Sequence, residues 1–339
     1  MDPKGDRILL AHGGGGRLTA ALIADEIVPR FGDGPLRGLP DAADLPPIGG
    51  AIAFTTDAFV VQPPFFPGGD IGSLAVNGTV NDLAVCGARA RWLSLALILE
   101  EGLTFDVLRR VLDSVTVAAK AAGVTVATGD TKVVPRGQCD GLYLATSGLG
   151  ERLPGYALSP ERIRPGDRVL VSGPVGDHGM AVMAARMQFA SAGGPRSDCA
   201  SVLPLVEAAA PMAGGIRWMR DPTRGGVAAA LNECARGRPW GIMLHEAAIP
   251  LHSASAALAD ALGLDPLHSP CEGRIVAVCD PSVAGEVLRS WRSTEVGREA
   301  AEIGSIVCGA WDGAVAMETR MGGRRLVDMP LGELLPRIC

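Results

Sequence analysis

Short apolar runs typical of buried strands recur along both halves of this chain. Residues 51–55 and 92–99 are such runs in the first half, and residues 168–172 and 275–279 are such runs in the second. Between them lie stretches such as residues 104–122, where apolar side chains recur at helical spacing. Strands that alternate with amphipathic helices predict an α/β (α+β) protein whose sheets are covered by helices.

The length and one turn-rich stretch predict two domains. The chain has 339 residues, enough for two cores of ordinary size. The charged stretch 151–167, rich in Pro and Gly, has the composition of a domain boundary. We expect an N-terminal domain of residues 1–155, a C-terminal domain of residues 156–327 and a mobile tail of residues 328–339.

Charge and composition exclude several classes of protein. The net charge is −6 and no basic run exceeds two residues, which argues against a nucleic-acid partner. The first seven residues lack an apolar signal core, and the apolar run 93–99 is too short to cross a bilayer. The eight cysteines include no CxxC pair and indicate reduced thiols. We therefore expect a cytoplasmic protein with no membrane contact.

The chain ends in a thiol, because its final residue is Cys339. No chain follows this residue, so the thiol can enter a closed pocket on this protein or on a partner. The neighbouring α-carboxylate disfavours the thiolate, whereas Arg337 favours it. Cys339 is therefore expected to be a carrier that another catalyst loads. The alternative is a frayed terminus that happens to end in cysteine.

Four consecutive glycines, Gly13, Gly14, Gly15 and Gly16, precede Arg17. Their bare backbone N–H groups are able to fold over a polyphosphate. The segment is not a P-loop, because no Gly-Lys-Ser/Thr follows it. A flexible connector is the alternative.

Two acidic positions follow strand-like runs. Asp57 comes just after residues 51–55, where a carboxylate is well placed to bind a hard cation. Asp130 and Lys132 follow the apolar run 124–127, and an acid and a base in this position fit metal and phosphate binding. A simple Asp turn and a local surface ion pair are the respective alternatives.

A mostly apolar helix over residues 71–86 carries a line of polar groups. Asp70 is the predicted N-cap, and Asn77 and Asn81 lie on one line with Asp82 beside it. Polar side chains grouped on an apolar helix indicate a site. Hydrogen bonding between subunits is the alternative.

Three positions in the second half carry candidate chemistry. Asp221 and Pro222 are predicted to be the N-cap and first residue of a helix that ends before Gly237. His178 lies in a glycine-rich turn, where a structural hydrogen bond is expected rather than a phosphate contact. Glu272 lies where a loop enters a strand, so that burial would raise its pKa and suit it to proton transfer.

Together these segments resemble the HypE family of hydrogenase maturation factors, which are carbamoyl dehydratases. The resemblance extends over nearly the whole chain in order. The matching stretches are residues 12–17, 55–57, 65–71, 78–84, 129–134, 176–179, 220–226, 272–273 and 336–339.

The resemblance implies a two-domain PurM-like ATP-binding fold, shared with aminoimidazole ribonucleotide synthetase and selenophosphate synthetase. In this fold the N-terminal sheets of two subunits pair into a barrel, and the C-terminal domain is an α/β layer. ATP and Mg²⁺ are the implied cofactors. The implied metal ligands are Asp57, Asp82, Asp130 and Asp221. The implied nucleotide-binding residues are Gly13, Gly14, Gly15, Gly16 and Asn81, together with Asp57, Asp82 and Asp130.

The resemblance also implies a reaction. A HypF-like carbamoyltransferase places a carbamoyl group on Cys339, and ATP phosphorylates the carbamoyl oxygen while Lys132 offsets charge. Glu272 is the candidate base that removes an N–H proton as phosphate leaves. The resulting thiocyanate passes to an iron-carrying HypC–HypD complex, as the source of cyanide for the Fe(CN)2CO centre of [NiFe]-hydrogenase. A homodimer is expected.

The chain departs from the family pattern at Cys271, where Asn usually stands, and Arg274 replaces a frequent Lys. Two alternatives are open. One is another ATP-using enzyme of the superfamily, selenophosphate synthetase-like or a small-molecule kinase. However, the first cysteine is Cys86, so none lies beside the glycine segment. The other alternative is a non-catalytic docking protein that presents its tail.

Overall fold

Two sheets, one in each half of the chain, organise the protein. The computed structural model describes residues 6–32, 34–189, 193–329, 332 and 338. The mixed α/β architecture predicted from the alternation of apolar runs is confirmed. Within the described ranges no helix is long and apolar enough to cross a membrane.

The N-terminal unit is a four-stranded sheet in the order β1-β6-β4-β5, with a small hairpin of β2 and β3. Only β4 and β5 run parallel; the other neighbours in the sheet are antiparallel. The strands are β1 (Ile52–Phe59), β2 (Phe65–Phe66), β3 (Gly69–Asp70), β4 (Ala88–Glu100), β5 (Thr125–Val134) and β6 (Leu142–Arg152). The helices are α1 (Arg17–Leu22), a π-helical turn (Ile23–Ile27), α2 (Val28–Phe31), α3 (Ile71–Val85) and α4 (Phe105–Ala122).

The ends of α3 and α4 follow local rules. The Asp70 side chain accepts hydrogen bonds from the backbone N–H groups of Gly72 and Ser73, which confirms the predicted cap. Thr104 caps α4, and Gly123 ends it in the left-handed region at φ 66°. The helical segment that begins at Arg17 continues past Pro29 to Phe31. Pro29 is the second residue of α2, which directly follows the π-helical turn.

Two acidic positions that were predicted to follow strands lie within the strands. Asp57 lies within β1, paired with Thr146 of β6, instead of following the strand. Likewise, Asp130 and Lys132 lie within β5, which continues to Val134. Both strands are longer than predicted, and the alternative of an Asp turn at residue 57 is excluded, because ladder pairing holds these polar residues in extended backbone.

A register shift divides β5. Leu93 of β4 pairs with Val126, and the next pair is Ser94 with Thr128, so Ala127 is an extra residue on β5. Val126 and Ala127 are consecutive and both buried. Such a bulge reverses the face on which every later side chain lies.

Within the described residues, the face of the N-terminal sheet opposite α3 and α4 is left uncovered in one chain. Phe54 on β1 is 67% exposed. After the bulge, Asp130 pairs with Ala96 and Lys132 with Ile98, both of which lie on this uncovered face. The exposed acid and base are therefore on the side of the sheet away from the helices.

The C-terminal unit is a seven-stranded sheet in the order β13-β12-β9-β11-β7-β10-β8. Its strands are β7 (Arg168–Val171), β8 (Ile216–Arg220), β9 (Gly241–His245), β10 (Val276–Cys279), β11 (Ala301–Val307), β12 (Val315–Glu318) and β13 (Arg324–Leu326). Its helices are α5 (Asp177–Arg186), α6 (Leu203–Ala209), α7 (Gly226–Ala235), α8 (Ser253–Leu262) and α9 (Pro281–Arg292).

The two units share a core. Leu83 of α3 and Leu205 of α6 belong to one buried cluster, while Val171 and Leu231 belong to a second cluster within the C-terminal unit. The prediction of one domain ending at residue 155 and another beginning at residue 156 stays a prediction.

The predicted N-cap role of Asp221 was wrong. Helix α7 begins at Gly226, and its N-cap is Gly225 in the left-handed region at φ 79°. Gly226 also has positive φ, and a Cβ there would lie 2.5 Å from the carbonyl oxygen of Leu267. The two glycines therefore form a tight turn that separates Asp221 from the helix and leaves its carboxyl available for another role.

Candidate active site

Three predicted metal-facing acids come together where the two units meet. Asp57 lies on β1, Asp82 on α3, and Asp221 just after β8. The Thr55 hydroxyl donates to Oδ2 of Asp82 at 2.7 Å, which joins the first strand to the helix. We call Asp57, Asp82 and Asp221 the acid cluster.

The charge of Asp82 contributes to a raised pKa at the other two members of the acid cluster. Burial, followed by the charge of Asp82, raises the pKa of Asp57 to about 6. Burial and the same neighbour raise the pKa of Asp221 to about 7. Like charges in a desolvated site disfavour the ionised forms, so a cation is the partner that would relieve them.

The acid cluster fits a metal that arrives with other ligands. No group of three or more His, Cys, Asp or Glu side chains within the described ranges is arranged to hold a metal ion by itself. Mg²⁺ usually takes one or two carboxylates and completes its octahedron with phosphate oxygens and water. The donor set therefore suits Mg²⁺ bound to a nucleotide.

Glu272 lies beside the acid cluster in the loop before β10. It is only 3% exposed, and its Oε1 atom has no hydrogen-bond partner among the described residues. Burial, together with the charges of Asp221 and Asp198, raises the pKa of its carboxyl well above the ordinary value. Its backbone N–H donates to Oδ1 of Asp198 at 3.0 Å. The result is an oriented loop with a side-chain oxygen free to act on a ligand.

Asn81 has a role that the sequence reasoning missed. Its side-chain N–H groups donate to the carbonyl oxygens of Ala200 at 3.0 Å and Glu272 at 3.1 Å. Its Oδ1 accepts from the backbone N–H of Val202 at 2.8 Å. Asn81 thus ties α3 to two loops of the C-terminal unit. The line of polar residues on α3 indicated that Asn81 has a specific role. It could not identify the hydrogen-bond partners of Asn81, which are more than 100 residues away in sequence.

The glycine segment lies elsewhere, against β5. A Cβ on Gly13 would lie 2.8 Å from the backbone nitrogen of Val133, so only glycine allows this approach. Gly13 and Gly15 line a cavity of about 270 Å³ whose wall also includes Asp130 and Lys132. Gly14 and Gly16 do not line this cavity.

Asp130 and Lys132 form a mostly exposed ion pair, with Nζ 2.8 Å from Oδ2. The hydrogen bond from Lys132 lowers the pKa of Asp130. Asp57 and Asp130 lie on the two edge strands of the sheet. Three strand spacings separate these edges by roughly 14 Å. One chain therefore brings the predicted residues together in two groups, the acid cluster with Glu272 and Asn81, and the glycines with Asp130 and Lys132.

Cys339 lies outside the described residues, but the residue before it does not. Ile338 is 2% exposed and belongs to the core shared by the two units. Its carbonyl oxygen lies 2.8 Å from Nε2 of His178. The expected structural hydrogen bond of His178 is therefore confirmed.

The residues that depart from the family pattern are packed into the C-terminal unit. Cys271 is fully buried, and its sulfur accepts from the backbone N–H of Gly176 at 3.1 Å. Burial raises the pKa of this thiol well above its usual value. The Arg274 side chain donates from Nε to the carbonyl oxygen of Pro174 at 2.9 Å, and Nε lies 3.5 Å from Oδ2 of Asp198. Both residues therefore support the loop that carries Glu272.

Comparisons with known proteins agree with this architecture. Residues 40–151 match the N-terminal domain of AIR synthase related proteins, and residues 164–312 match the C-terminal domain. The chain is 47% identical to the carbamoyl dehydratase HypE of Bradyrhizobium diazoefficiens, over 100% of this chain and 98% of that protein.

Solved structures give the same relationship. A crystal structure of the hydrogenase maturation protein HypE in complex with ATP superposes with a TM-score of 0.93 at 45% identity, covering 98% of this chain and 99% of the other. A HypE–HypF complex gives a TM-score of 0.79 at 40% identity, covering 91% of this chain and 100% of the matched chain. With two PurM-like domains and full-length identity of this order, the chain belongs to the HypE family of carbamoyl dehydratases.

Proposed function

We propose that this chain uses ATP to dehydrate a carbamoyl group on Cys339 to a thiocyanate, for the cyanide ligands of a [NiFe]-hydrogenase centre. The observation that carries the proposal is the position of Ile338. The residue before the thiol is buried and bonded to His178. The His178 ring also contacts Ser197, whose neighbour Asp198 holds the backbone of Glu272.

The thiol is loaded by a separate enzyme. A relative at 40% identity forms a HypE–HypF complex. A HypF-like carbamoyltransferase is therefore the proposed donor, and the S-carbamoyl group is the cargo.

In the first step the carbamoyl oxygen attacks the γ-phosphorus of ATP, ADP leaves, and one N–H proton is lost. Asp57, Asp82 and Asp221 would hold Mg²⁺ together with the nucleotide, and the ion would neutralise charge at the phosphates. Asn81 holds α3, and with it Asp82, against the loop that carries Glu272. The step is mainly one of positioning, and it converts a poor leaving group into phosphate.

In the second step the C–O bond breaks, phosphate leaves, and the remaining N–H proton is removed to give S–C≡N. Glu272 is the proposed base. Its buried carboxyl binds a proton more strongly than an exposed one, and its Oε1 has no protein partner among the described residues. The thiocyanate carbon is electrophilic, and a HypC–HypD complex that carries iron is the proposed acceptor. The thiol chemistry requires a reducing compartment, and we place the protein in the cytoplasm.

A homodimer completes the site in this proposal. The uncovered sheet face carries Phe54, Asp130 and Lys132, and pairing of two such faces would bring the acid and base toward the other subunit's nucleotide. Replacement Phe54→Asp is expected to shift the protein from dimer to monomer in sedimentation velocity. Val117→Asp is the matched control, because Val117 is 69% exposed on α4, away from this face. A Phe54→Asp protein that stays dimeric would contradict the proposed interface.

The mass of the C-terminal peptide tests the reaction. Carbamoyl-loaded protein given Mg-ATP is expected to lose the mass of one water from the peptide that contains Cys339. Replacement Glu272→Gln is expected to slow this loss at least about 100-fold, which is the lower range for removal of a general base. Glu286→Gln is the control, because Glu286 is exposed on α9.

Two results would overturn the proposal. If loaded wild-type protein keeps its carbamoyl group and hydrolyses no ATP, the chain is a docking protein that presents its tail. If the Glu272→Gln and Glu286→Gln proteins react at the same rate, Glu272 is not the base.

A further inference from the structure

The ring of His178 is held on three sides. It lies in the first turn of α5 and is fully buried. The Phe66 ring meets it edge to face, with centroids 5.2 Å apart and planes at 89°. Its Nδ1 lies 2.8 Å from the Ser197 hydroxyl, and its Nε2 lies 2.8 Å from the carbonyl oxygen of Ile338. An imidazole with these contacts has one orientation available.

The contacts also determine the tautomer. A carbonyl oxygen only accepts, so Nε2 of His178 carries the hydrogen and donates it to Ile338. In the neutral ring Nδ1 then accepts from the hydroxyl of Ser197. Burial lowers the pKa of His178, in keeping with a neutral ring.

Ser197 is itself fixed by the N-terminal unit. Its backbone N–H donates to the carbonyl oxygen of Pro67 at 2.8 Å, and its Oγ accepts from the N–H of Cys199 at 3.0 Å. Gly68 approaches so closely that a Cβ there would lie 2.6 Å from the carbonyl oxygen of Ser197. The donor to His178 is therefore rigidly placed.

The same segment positions Glu272. Asp198 follows Ser197 and accepts from the backbone N–H of Glu272 at 3.0 Å. A Cβ on Gly273 would lie 1.9 Å from the carbonyl oxygen of Asp198, so the two loop segments that contain these residues are in close contact. Ser197 and Asp198 are thus adjacent residues that hold, respectively, the imidazole and the candidate base.

We propose that His178 is a positioning residue that latches the carbonyl of Ile338 and so sets where the C-terminal thiol stands relative to Glu272. The inference rests on the proposed function, because it assigns the latch to the tail that carries the cargo. Its chemistry is a single N–H···O=C bond, made by a ring that Ser197 and Phe66 hold in place.

Accessibility of the terminal thiol tests the latch without any need for catalysis. Alkylation of Cys339 by iodoacetamide is measured on the C-terminal peptide and divided by the alkylation of Cys308, which is exposed. His178→Phe keeps an aromatic ring but removes the donor, and the ratio is expected to rise about tenfold for one lost hydrogen bond. His178→Gln retains an N–H donor and is expected to restore the ratio at least in part.

Two further variants complete the design. His245→Phe is the matched control, since this histidine is half exposed on β9, and its ratio is expected to equal that of the wild type. Ser197→Ala removes the hydroxyl that orients the ring and is the second test, with an expected rise of about threefold. If the His178→Phe protein does not fold, the Ser197→Ala protein decides the question.

Turnover separates a positioning role from a merely structural one. In the His178→Phe protein the single-turnover dehydration rate is expected to fall about tenfold while the Kd for ATP stays within about twofold of the wild type. The Gln variant is expected to regain rate in parallel with its alkylation ratio.

Specific outcomes would overturn the inference. One is an unchanged alkylation ratio in folded His178→Phe or Ser197→Ala protein. Another is a raised ratio with a wild-type dehydration rate, which would show that the bond holds the tail without positioning the thiol. If wild-type protein fails to dehydrate its cargo, the proposed function fails, yet the alkylation ratios still decide whether the latch exists.

Discussion

The raised pKa of Asp221 makes a signed prediction about stability. Replacement Asp221→Asn keeps the shape of the side chain but removes its ionisation. The pKa of Asp221 rises from 3.8 to about 7 on folding because of burial and the nearby charge of Asp82. At 1.36 kcal/mol per unit this rise corresponds to about 4 kcal/mol.

The sign follows from proton binding. Because the folded state binds the proton more strongly than the unfolded state, the stabilisation by protonated Asp221 is fully present below pH 3.8 and is lost as the pH rises through about 7. About 3 kcal/mol of this stabilisation is lost between pH 5 and pH 8. The Asn variant does not undergo this loss, so its advantage over the wild type should grow by up to this amount.

Urea unfolding at pH 5 and pH 8, in EDTA and without nucleotide, measures the effect. Fluorescence is a suitable probe because Trp218 lies on β8, the strand that leads to Asp221. Asp260→Asn, at an exposed position on α8, controls for the loss of one negative charge. Each variant is compared with the wild type at the same pH.

Addition of Mg-ATP is expected to reverse the order. The wild type should gain stability from the nucleotide, and the Asp221→Asn protein should gain much less, since it has lost a proposed metal ligand. If the Asn variant shows the same pH dependence as the wild type without nucleotide, the assignment of a raised pKa to Asp221 is refuted. If it gains as much as the wild type from Mg-ATP, Asp221 is not a ligand.

Two other substitutions test the site and its supports. Asp82→Asn is expected to weaken Mg-ATP binding at least about tenfold, which titration calorimetry measures, while loading of Cys339 continues; unaltered affinity would remove Asp82 from the site. Gly68→Ala is expected to destabilise the protein by about 2–3 kcal/mol, because Gly68 has φ 93° and its Cβ would meet the backbone of Ser197. Gly263→Ala, with positive φ but open space around it, should cost less than half as much by urea unfolding, and equal losses would exclude a role for the contact.

The local features of the fold were predictable from sequence. The Asp70 cap and the Gly123 terminus obey rules that depend on a few neighbouring residues, and the structure follows both. Asp221 misled the same reasoning, because Asp-Pro is typical of a helix start. The competing signal was the pair Gly225 and Gly226, whose positive φ values delay the helix.

The arrangement of the candidate site was less predictable. The carboxyl side chains of Asp57, Asp82 and Glu272 made them candidate site residues from the sequence. Their proximity, however, depends on contacts between distant parts of the chain. The three hydrogen bonds of Asn81 span more than 100 residues of sequence each, and no periodicity reports them. The face on which Asp130 lies depends on a bulge, and the apolar run 124–127 indicated a strand that ends before Asp130.

Ala127 determines the face of the sheet on which the later side chains of β5 lie. This matters for the interpretation of loss-of-function variants. Successive side chains along a strand point to opposite faces of the sheet. One extra residue therefore moves every later side chain to the other face. Excision of Ala127 would turn Asp130 and Lys132 inward while the composition, charge and most of the core stayed the same. A variant of this kind is expected to lose stability as well as function, because a charged pair on the helix-covered face is desolvated. Its loss of function would therefore not by itself assign a role to either side chain.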